Sequence, residues 1–262
     1  MIDIHHHCLP GVDDGPRDWS ESVDLCRMAA EEGIETIVAT PHVLRGRWRT
    51  ASREELEMKI ADLQSRVGDT PRLLLGSEYF FAHDMNEVLA SGKSIVPLAS
   101  GHYILVELAA HAVPPMLEQP FYRAQLGGWS IVLAHPERNN VLQSKPELLL
   151  SLMRAGVKTQ VTAGSITGDF GAEAERAATD WIRRGYVHIV ATDAHNIAKR
   201  PPRVREARAR VVELAGEEMA QAIFVDNPMA VVKDVSLAWE PDVPYSTDAP
   251  GFLSRLKRML SK

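Results

Sequence analysis

The chain has 262 residues, 45% of them hydrophobic and 24% charged, a composition that suits a soluble protein with a substantial core in one large or two small domains. A net charge of −6 argues against a general nucleic-acid binder, which needs a basic surface. The two cysteines, Cys8 and Cys26, give no disulfide framework, and no secretory leader or membrane-spanning apolar run is evident, so a cytoplasmic protein is expected.

The first stretch, Ile2 to His7, alternates Ile2 and Ile4 with Asp3, His5 and His7 at the period of a β-strand. His5 and His7 then project together from the strand's end, a natural pair of metal ligands because neutral imidazole binds divalent transition metals well. Pro10-Gly11 turns the chain, and Asp13-Asp14-Gly15 returns carboxylates to the same place. A purification-tag remnant would be longer and flanked by Gly or Ser. His6, between the pair, should face away.

Asp18 to Glu32 has apolar residues at helical spacing, with Asp18 and Glu21 as a capping box and Gly33 as a stop. Ile34 to Thr40 is a buried strand running into Pro41-His42, followed by a polar loop with Arg45, Arg47 and Arg49. A helix from Ser52 to about Val67 precedes a strand from Arg72 to Gly76, which ends in Ser77-Glu78. Then come a short helix at Asp84–Ala90 and a strand at Tyr103–Leu108, which carries Glu107 near its end. A helix is predicted over Pro114–Leu126, and a strand over Ser130–Ala134 delivers His135. Helices at Lys145–Ala155 and Ala172–Arg184 alternate with strands at Val157–Thr162 and Val187–Thr192, the last reaching Asp193 and His195. Helices at Val204–Leu214 and Glu217–Val225 close the domain.

Such strand-helix alternation calls for a parallel sheet, either closed into a barrel or open and doubly wound. The strand ends decide between them. His5, His7, His42, Glu78, Glu107, His135, Asp193 and His195 all sit at C-terminal strand ends, and only a barrel brings so many ends to one face. The expected fold is therefore an α/β barrel over residues 1–238.

Any one of these residues alone is more often a satisfied core polar group. Their joint placement is the signal, because structural polar groups have no reason to recur at strand ends. With Asp14 the set offers nine nitrogen or oxygen ligands, too many for one ion and suited to two or three. The absence of thiolate favours Mn²⁺, Fe²⁺ or Zn²⁺. Multinuclear sites of this kind suit phosphoester hydrolysis, because water held between metals ionises near neutral pH and the cations neutralise phosphoryl charge. Arg138, three residues after His135, and Arg200, seven after Asp193, can reach the mouth and bind phosphate oxygens. Cysteine-based phosphatase chemistry pairs a Cys with an Arg six positions on, whereas here Asp14 follows Cys8 and Glu32 follows Cys26 at that spacing. Both cysteines are expected to be small, partly buried side chains.

The segments IDIHHHCLPGVDDG, IVATPH, GSEY, ILVEL, LAHPERN, TAGSITGDFG, ATDAHN, KRPP and DNP occur in this order up to about Val232. They resemble the PHP (polymerase and histidinol phosphatase) superfamily, most closely the bacterial PHP-type protein-tyrosine phosphatases of capsule and exopolysaccharide clusters. The resemblance implies a distorted seven-stranded β/α barrel with a trinuclear metal site. It would place His5, His7, Glu78 and Asp193 on one metal, Glu78, Glu107 and His135 on a second, and Asp14, His42 and His195 on the third. Arg138 and Arg200 match the family's phosphate-binding arginines. It further implies Mn²⁺ as first choice of metal and, as partner, an autophosphorylated tyrosine kinase of polysaccharide export. Two departures touch the site: His6 replaces a small residue or Cys, and Leu108-Ala109-Ala110-His111 stands where the family has Phe-Pro after its Glu. The loop from Leu44 to Thr50 reads as specific to this chain.

Two alternatives remain at this stage. One is a small-molecule PHP phosphatase acting on a substrate such as histidinol phosphate, or a related metallohydrolase of C–N bonds. The C–N branch commonly bridges its metals with a carbamylated Lys, where this chain offers Glu78. The other is a non-catalytic binding module, which would not need the full ligand set. From Trp239 the sequence becomes rich in Pro and turns, reading as a linker over residues 239–262 that ends in a short basic amphipathic tail, Phe252 to Lys262. The tail reads as a last packed helix or a frayed end. The sharper expectation is weak contact with an anionic membrane surface.

Overall fold

The computed structural model describes residues 1–92 and 95–243. Nine strands are described: β1 (Ile2–His6), β2 (Thr36–Ala39), β3 (His42–Val43), β4 (Arg72–Leu75), β5 (Glu78–Phe80), β6 (Tyr103–Glu107), β7 (Ser130–Ala134), β8 (Lys158–Thr162) and β9 (Ile189–Ala191). Every strand pairing is parallel, in two sheets ordered β1-β2-β4 and β3-β5-β6-β7-β8-β9. β2 and β3 are two halves of one stave, as are β4 and β5, so seven staves run round the molecule. The seam between first and last is closed by a parallel bridge of His6 with Ala194, with Asp193 N donating to His5 O at 2.8 Å and His7 N to Ala194 O at 2.9 Å. This is the barrel expected from the strand ends, in the distorted seven-stranded form that the family resemblance implies.

Neither half-stave break was expected, and each has a local cause. The first falls at Thr40-Pro41, where proline has no N–H to continue the ladder. At the second, Gly76 lies so close to its neighbours that an added Cβ would meet Leu98 Cδ2 at 2.9 Å and Val38 Cγ1 at 3.0 Å. A short 3₁₀ turn at Leu98–Ser100 presses there, and the chain resumes one residue later as β5.

The helices are α1 (Trp19–Glu31), α2 (Arg53–Val67), α3 (Met85–Ser91), α4 (Glu118–Leu126), α5 (Asn140–Ser144), α6 (Pro146–Arg154), α7 (Ala163–Ile166), α8 (Ala172–Arg183), α9 (Arg205–Ala215), α10 (Glu217–Gln221) and α11 (Asn227–Val232). Asp18 caps α1 by accepting from Ser20 N and Glu21 N, and Ser52 caps α2 by accepting from Glu55 N. The helix predicted from Pro114 begins only at Glu118, because Met116 has a φ of 59° and turns the chain out of helical geometry. The helix predicted to Val225 passes through a π turn at Ala222–Asp226 into α11, which the sequence reading had not anticipated. α11 plugs the barrel from below: Ala230 and Val231 pack in one cluster with Ile2, Ile4, Val38, Leu105, Val132 and Ile189.

Cys8 and Cys26 are wholly buried, not partly so, and lie against each other, Cys26 on the buried face of α1. Trp239 and Glu240, read as the start of the linker, are tied to the barrel. Trp239 N donates to Asn227 Oδ1 at 2.9 Å, and Lys158 Nζ donates to Glu240 Oε1 at 2.5 Å. The basic tail expected over Phe252 to Lys262 lies outside the described residues. Among the described residues, no helix is long and apolar enough to cross a membrane.

Candidate metal centre

The eight residues named from the strand ends, and Asp14 from the turn after β1, meet at the C-terminal mouth of the barrel. A bulge in β1 between Asp3 and His6 brings His5 and His7 together, their Nε2 atoms 3.3 Å apart. β3 and β5 pair His42 directly with Glu78, which places that carboxylate in the middle of the group. Glu78 Oε1 lies 2.9 Å from His135 Nε2, and Oε2 lies 2.9 Å from His42 Nδ1 and 3.4 Å from both His5 and His7 Nε2. Asp193 Oδ1 stands 3.3 Å from His5 Nε2 and 3.5 Å from His7 Nε2. Asp14 Oδ1 reaches His42 Nε2 at 3.3 Å and His195 Nε2 at 3.2 Å.

The donor atoms fall into four overlapping sets, each within 4.8 Å: His7, Asp14, His42 and His195; His5, Glu78 and His135; His5, His7 and Asp193; His42, Glu78 and Glu107. Glu107 and His135 thus both neighbour Glu78 but stand in different sets, Glu107 with His42 and His135 with His5. His195, Asp14 and His42 stand in one set together with His7. His6 is in none of the sets, and its fully buried ring makes no hydrogen bond.

Two of these positions are held in backbone conformations that L-residues avoid. His135 has a φ of 34° and Asp193 a φ of 53°. Non-glycine residues there cost of order 1–3 kcal/mol and persist where the surroundings dictate them, commonly at functional sites. At Asp193 the surroundings include Asp3, whose carboxylate accepts from Thr192 N at 3.0 Å, from the Thr192 hydroxyl and from His5 N at 3.2 Å. Asp3 therefore ties the end of β9 to the bulge of β1.

The far nitrogens of the imidazoles are engaged elsewhere, which fixes the atoms aimed at the centre. His5 Nδ1 lies 2.8 Å from Gln160 Oε1, His7 Nδ1 lies 2.7 Å from Asp13 Oδ2, and His195 Nδ1 lies 3.0 Å from the carbonyl of Asp193. Asp13 also accepts from His42 N and, closing an Asx turn, from Gly15 N. The sequence reading returned both Asp13 and Asp14 to the strand's end but counted only Asp14 in the site, and it missed Gln160. The Asp-x-Gly turn was a usable signal for Asp13, while a lone Gln in a strand gave none.

The charges here are strongly perturbed. Burial works to raise Asp193, but His5, Arg138 and Arg200 hold its carboxyl well below the usual range. Glu78 is likewise held down against burial, by His5 and His42. Burial and the nearby Arg138 push His135 down to about 3, and burial with His7 pushes His195 down to about 4. Both imidazoles are therefore neutral, the form with a lone pair to give. Burial and the facing Glu78 lift Glu107 to about 7.

Several buried donors have only one another at 2.9 to 3.6 Å and no well-formed hydrogen bond. Glu78 Oε2, Asp193 Oδ1 and His195 Nε2 are fully buried and make no hydrogen bond. Oxygen and nitrogen lone pairs packed this closely repel unless something positive lies between them. The donor set, nitrogen and oxygen without thiolate, fits divalent cations of the Mn²⁺, Fe²⁺ and Zn²⁺ kind.

Beside these groups lies a cavity of about 290 Å³ lined by Asp14, His42, Glu107, Arg138, Asp193 and Arg200, among others. Arg138 follows His135 on a 3₁₀ turn, Pro136–Arg138, and its Nη2 donates to Asp193 Oδ2 at 2.6 Å. Arg200 Nη2 donates to the same oxygen, so the two predicted arginines converge. A third guanidinium, missed from sequence, joins them: Arg45 lines the cavity and pairs with Glu107. Its loop also lays Trp48 flat against His42, ring centroids 5.1 Å apart and planes 7° from parallel.

The family model described as capsular polysaccharide synthesis, CpsB/CapC, matches residues 1–233. The chain belongs to this family. The tyrosine-protein phosphatase YwqE of Bacillus subtilis is 34% identical to it over 93% of this chain and 96% of its own length. The tyrosine-protein phosphatase CpsB of Streptococcus pneumoniae is 30% identical over 89% of this chain and 99% of its own length. A crystal structure from work on YwqE and CpsB as metal-dependent tyrosine phosphatases superposes with a TM-score of 0.88 at 33% identity, over 94% of this chain and 99% of that one. The family match runs from β1 through α11, so every one of the nine donors and both arginines lies inside it.

Proposed function

We propose that this CpsB/CapC family member is a metal-dependent protein-tyrosine phosphatase of the cytoplasm. Its natural substrate is a phosphotyrosine protein, specifically a tyrosine kinase of polysaccharide synthesis or export. The observation that carries this is the unsatisfied donor cluster at the barrel mouth with two guanidiniums converging beside it. His5, His7, Asp14, His42, Glu78, Glu107, His135, Asp193 and His195 would hold two or three ions, with Mn²⁺ the first choice and Fe²⁺ or Zn²⁺ the alternatives. When bound, such ions lower the pKa of water and neutralise charge on phosphoryl oxygens.

The chain's own groups supply the rest. Arg138 and Arg200 bind the phosphoryl oxygens that face away from the carboxylate cluster, two N–H donors to each anion edge. Their shared hydrogen bond to Asp193 fixes both guanidiniums before substrate arrives, so little ordering remains to be done on binding. Gln160 and Asp13 keep the Nε2 atoms of His5 and His7 aimed at the cluster. Tyrosine leaves as a phenolate of pKa near ~10, which reduces the need for a strong general acid compared with an alkyl ester.

The deciding experiment is reconstitution with Mn²⁺ or Fe²⁺, followed by assay on a phosphotyrosyl peptide, a nucleotide and histidinol phosphate. Preferential turnover of the phosphotyrosyl peptide is expected. Inertness towards all aryl phosphates would overturn the proposal, and preference for histidinol phosphate would move the chain to the small-molecule branch.

The proposal extends to the chain's division into a phosphatase barrel and an appended segment, the boundary expected after residue 238 moving past Glu240 because Trp239 and Glu240 are held on the barrel. Within that segment, Arg255, Lys257, Arg258 and Lys262 stand among Phe252, Leu253, Leu256, Met259 and Leu260. A basic amphipathic segment of this length binds anionic lipid weakly, enough to concentrate an enzyme near a membrane-embedded kinase. Truncation at Asp248 should leave aryl phosphatase activity intact and reduce co-sedimentation with anionic vesicles at low salt. Equal sedimentation of the two forms would end the membrane idea.

A further inference from the structure

Phe170 is not one of the nine donors, yet two of the three arginines that line the cavity, Arg138 and Arg200, lie over its ring. Arg138 Cζ is 4.6 Å from the ring centroid and Arg200 Cζ is 5.9 Å from it. We propose that Phe170 is a positioning residue for phosphate recognition, its aromatic ring holding both guanidiniums in the posture that receives the phosphoryl group. The proposal rests on the reading of Arg138 and Arg200 as phosphate binders.

The physical need is plain from the charges. Two guanidiniums converge on a single oxygen, Asp193 Oδ2, while the other oxygen of that carboxylate faces His5 and His7. One shared anionic oxygen offsets only part of the repulsion between two cations. An aromatic face carries the negative lobe of the ring quadrupole and attracts cations within about 6 Å of its centroid, without offering a hydrogen bond that would compete with phosphate. The donors of both arginines thus stay available while their flat faces are held.

The segment around Phe170 is built to present that ring. It sits in the turn between α7 and α8, where Asp169 N donates to Gly164 O at 2.8 Å and Gly171 N to Gly168 O at 3.0 Å. Gly168 and Gly171 both have a φ of +90°, open to glycine and strained for other residues. A Cβ on Gly164 would lie 3.0 Å from Phe170 Cε2, so the ring rests directly on the backbone of α7. The sequence TAGSITGDFG thereby acquires a role: its glycines shape a seat and its phenylalanine fills it.

The test uses the full-length, Mn²⁺-loaded chain with p-nitrophenyl phosphate as substrate and inorganic phosphate as competitive inhibitor. Phe170→Leu keeps an apolar side chain and removes the π face, while Phe170→Tyr keeps the face. Phe170→Leu should raise the inhibition constant for phosphate roughly tenfold, with manganese content unchanged, and Phe170→Tyr should stay within about twofold of wild type. In an Arg138→Ala background the same Phe170→Leu change should cost much less, because its effect is carried by the arginine. If Phe170→Leu does not fold, Gly164→Ala, which presses on the ring from the α7 side, should weaken phosphate in its place. Equal losses in Leu and Tyr variants, or an undiminished loss in the Arg138→Ala background, would reduce Phe170 to packing and overturn the proposal. Wild-type phosphate binding by Phe170→Leu while Arg138→Ala is impaired would overturn it and leave the arginine reading standing. Wild-type behaviour of Arg138→Ala would bring down that reading first.

Discussion

Asp193→Ala is expected to abolish phosphatase activity and to lower the bound metal measured by elemental analysis. Asp193 does two things at once. Its Oδ1 stands among the imidazoles of His5 and His7 without a hydrogen bond, and its Oδ2 accepts from both Arg138 and Arg200. Removal deprives the donor cluster of one anion and releases two guanidiniums, so metal and phosphate sites fail together. His135→Ala, which takes a neutral imidazole from beside Glu78, should lose metal and activity with the arginine posture intact. Full metal content and turnover in Asp193→Ala would show that Asp193 is not a ligand.

Arg138→Ala should behave differently, keeping its metal but losing about 2–4 kcal/mol of transition-state stabilisation, roughly 30- to 1,000-fold in kcat/KM. The size follows from where the guanidinium sits: largely enclosed, already oriented by Asp193, and lining the cavity. Such a preorganised donor requires no rearrangement as charge develops. Kinetics on a phosphotyrosyl peptide, with metal analysis of the same preparation, measure both halves. A variant with wild-type kcat/KM would mean that phosphate does not bind at this guanidinium.

Much of this was legible in the sequence because a parallel barrel turns a one-dimensional regularity into a place. Most strands read as short apolar runs, and the first polar residue beyond one, such as His135 after Ser130–Ala134, lies at the common mouth. What stayed hidden was set by contacts remote along the chain. Gln160 orients His5 across 155 positions, and nothing in KTQVT announces it. Arg45 was read as one of three arginines in a polar loop, and only the fold separates it, paired with Glu107, from Arg49, paired with Glu55 outside the cavity. The half-stave breaks were partly visible, since Pro41 was a plain signal that a ladder must stop. Gly76 was not, because its reason lies in Leu98 pressing from another part of the chain. The sharing of donors within the cluster is likewise geometric: sequence order says nothing of whether His135 or Glu107 stands nearer His5.

The seam where β1 meets the chain leaving β9 has a consequence for how the protein is made. His5 and His7 leave the ribosome nearly two hundred residues ahead of Asp193 and His195, and the hydrogen bonds of His5 O and His7 N are to that late segment. Closing so long a loop is slow, and until it closes the first strand has only β2 for a neighbour. A growing chain thus carries exposed imidazoles without the carboxylate that completes their set. On the proposed ligand set, a full complement of ions would be acquired only after the last strand docks, and only a finished barrel would dephosphorylate its substrate.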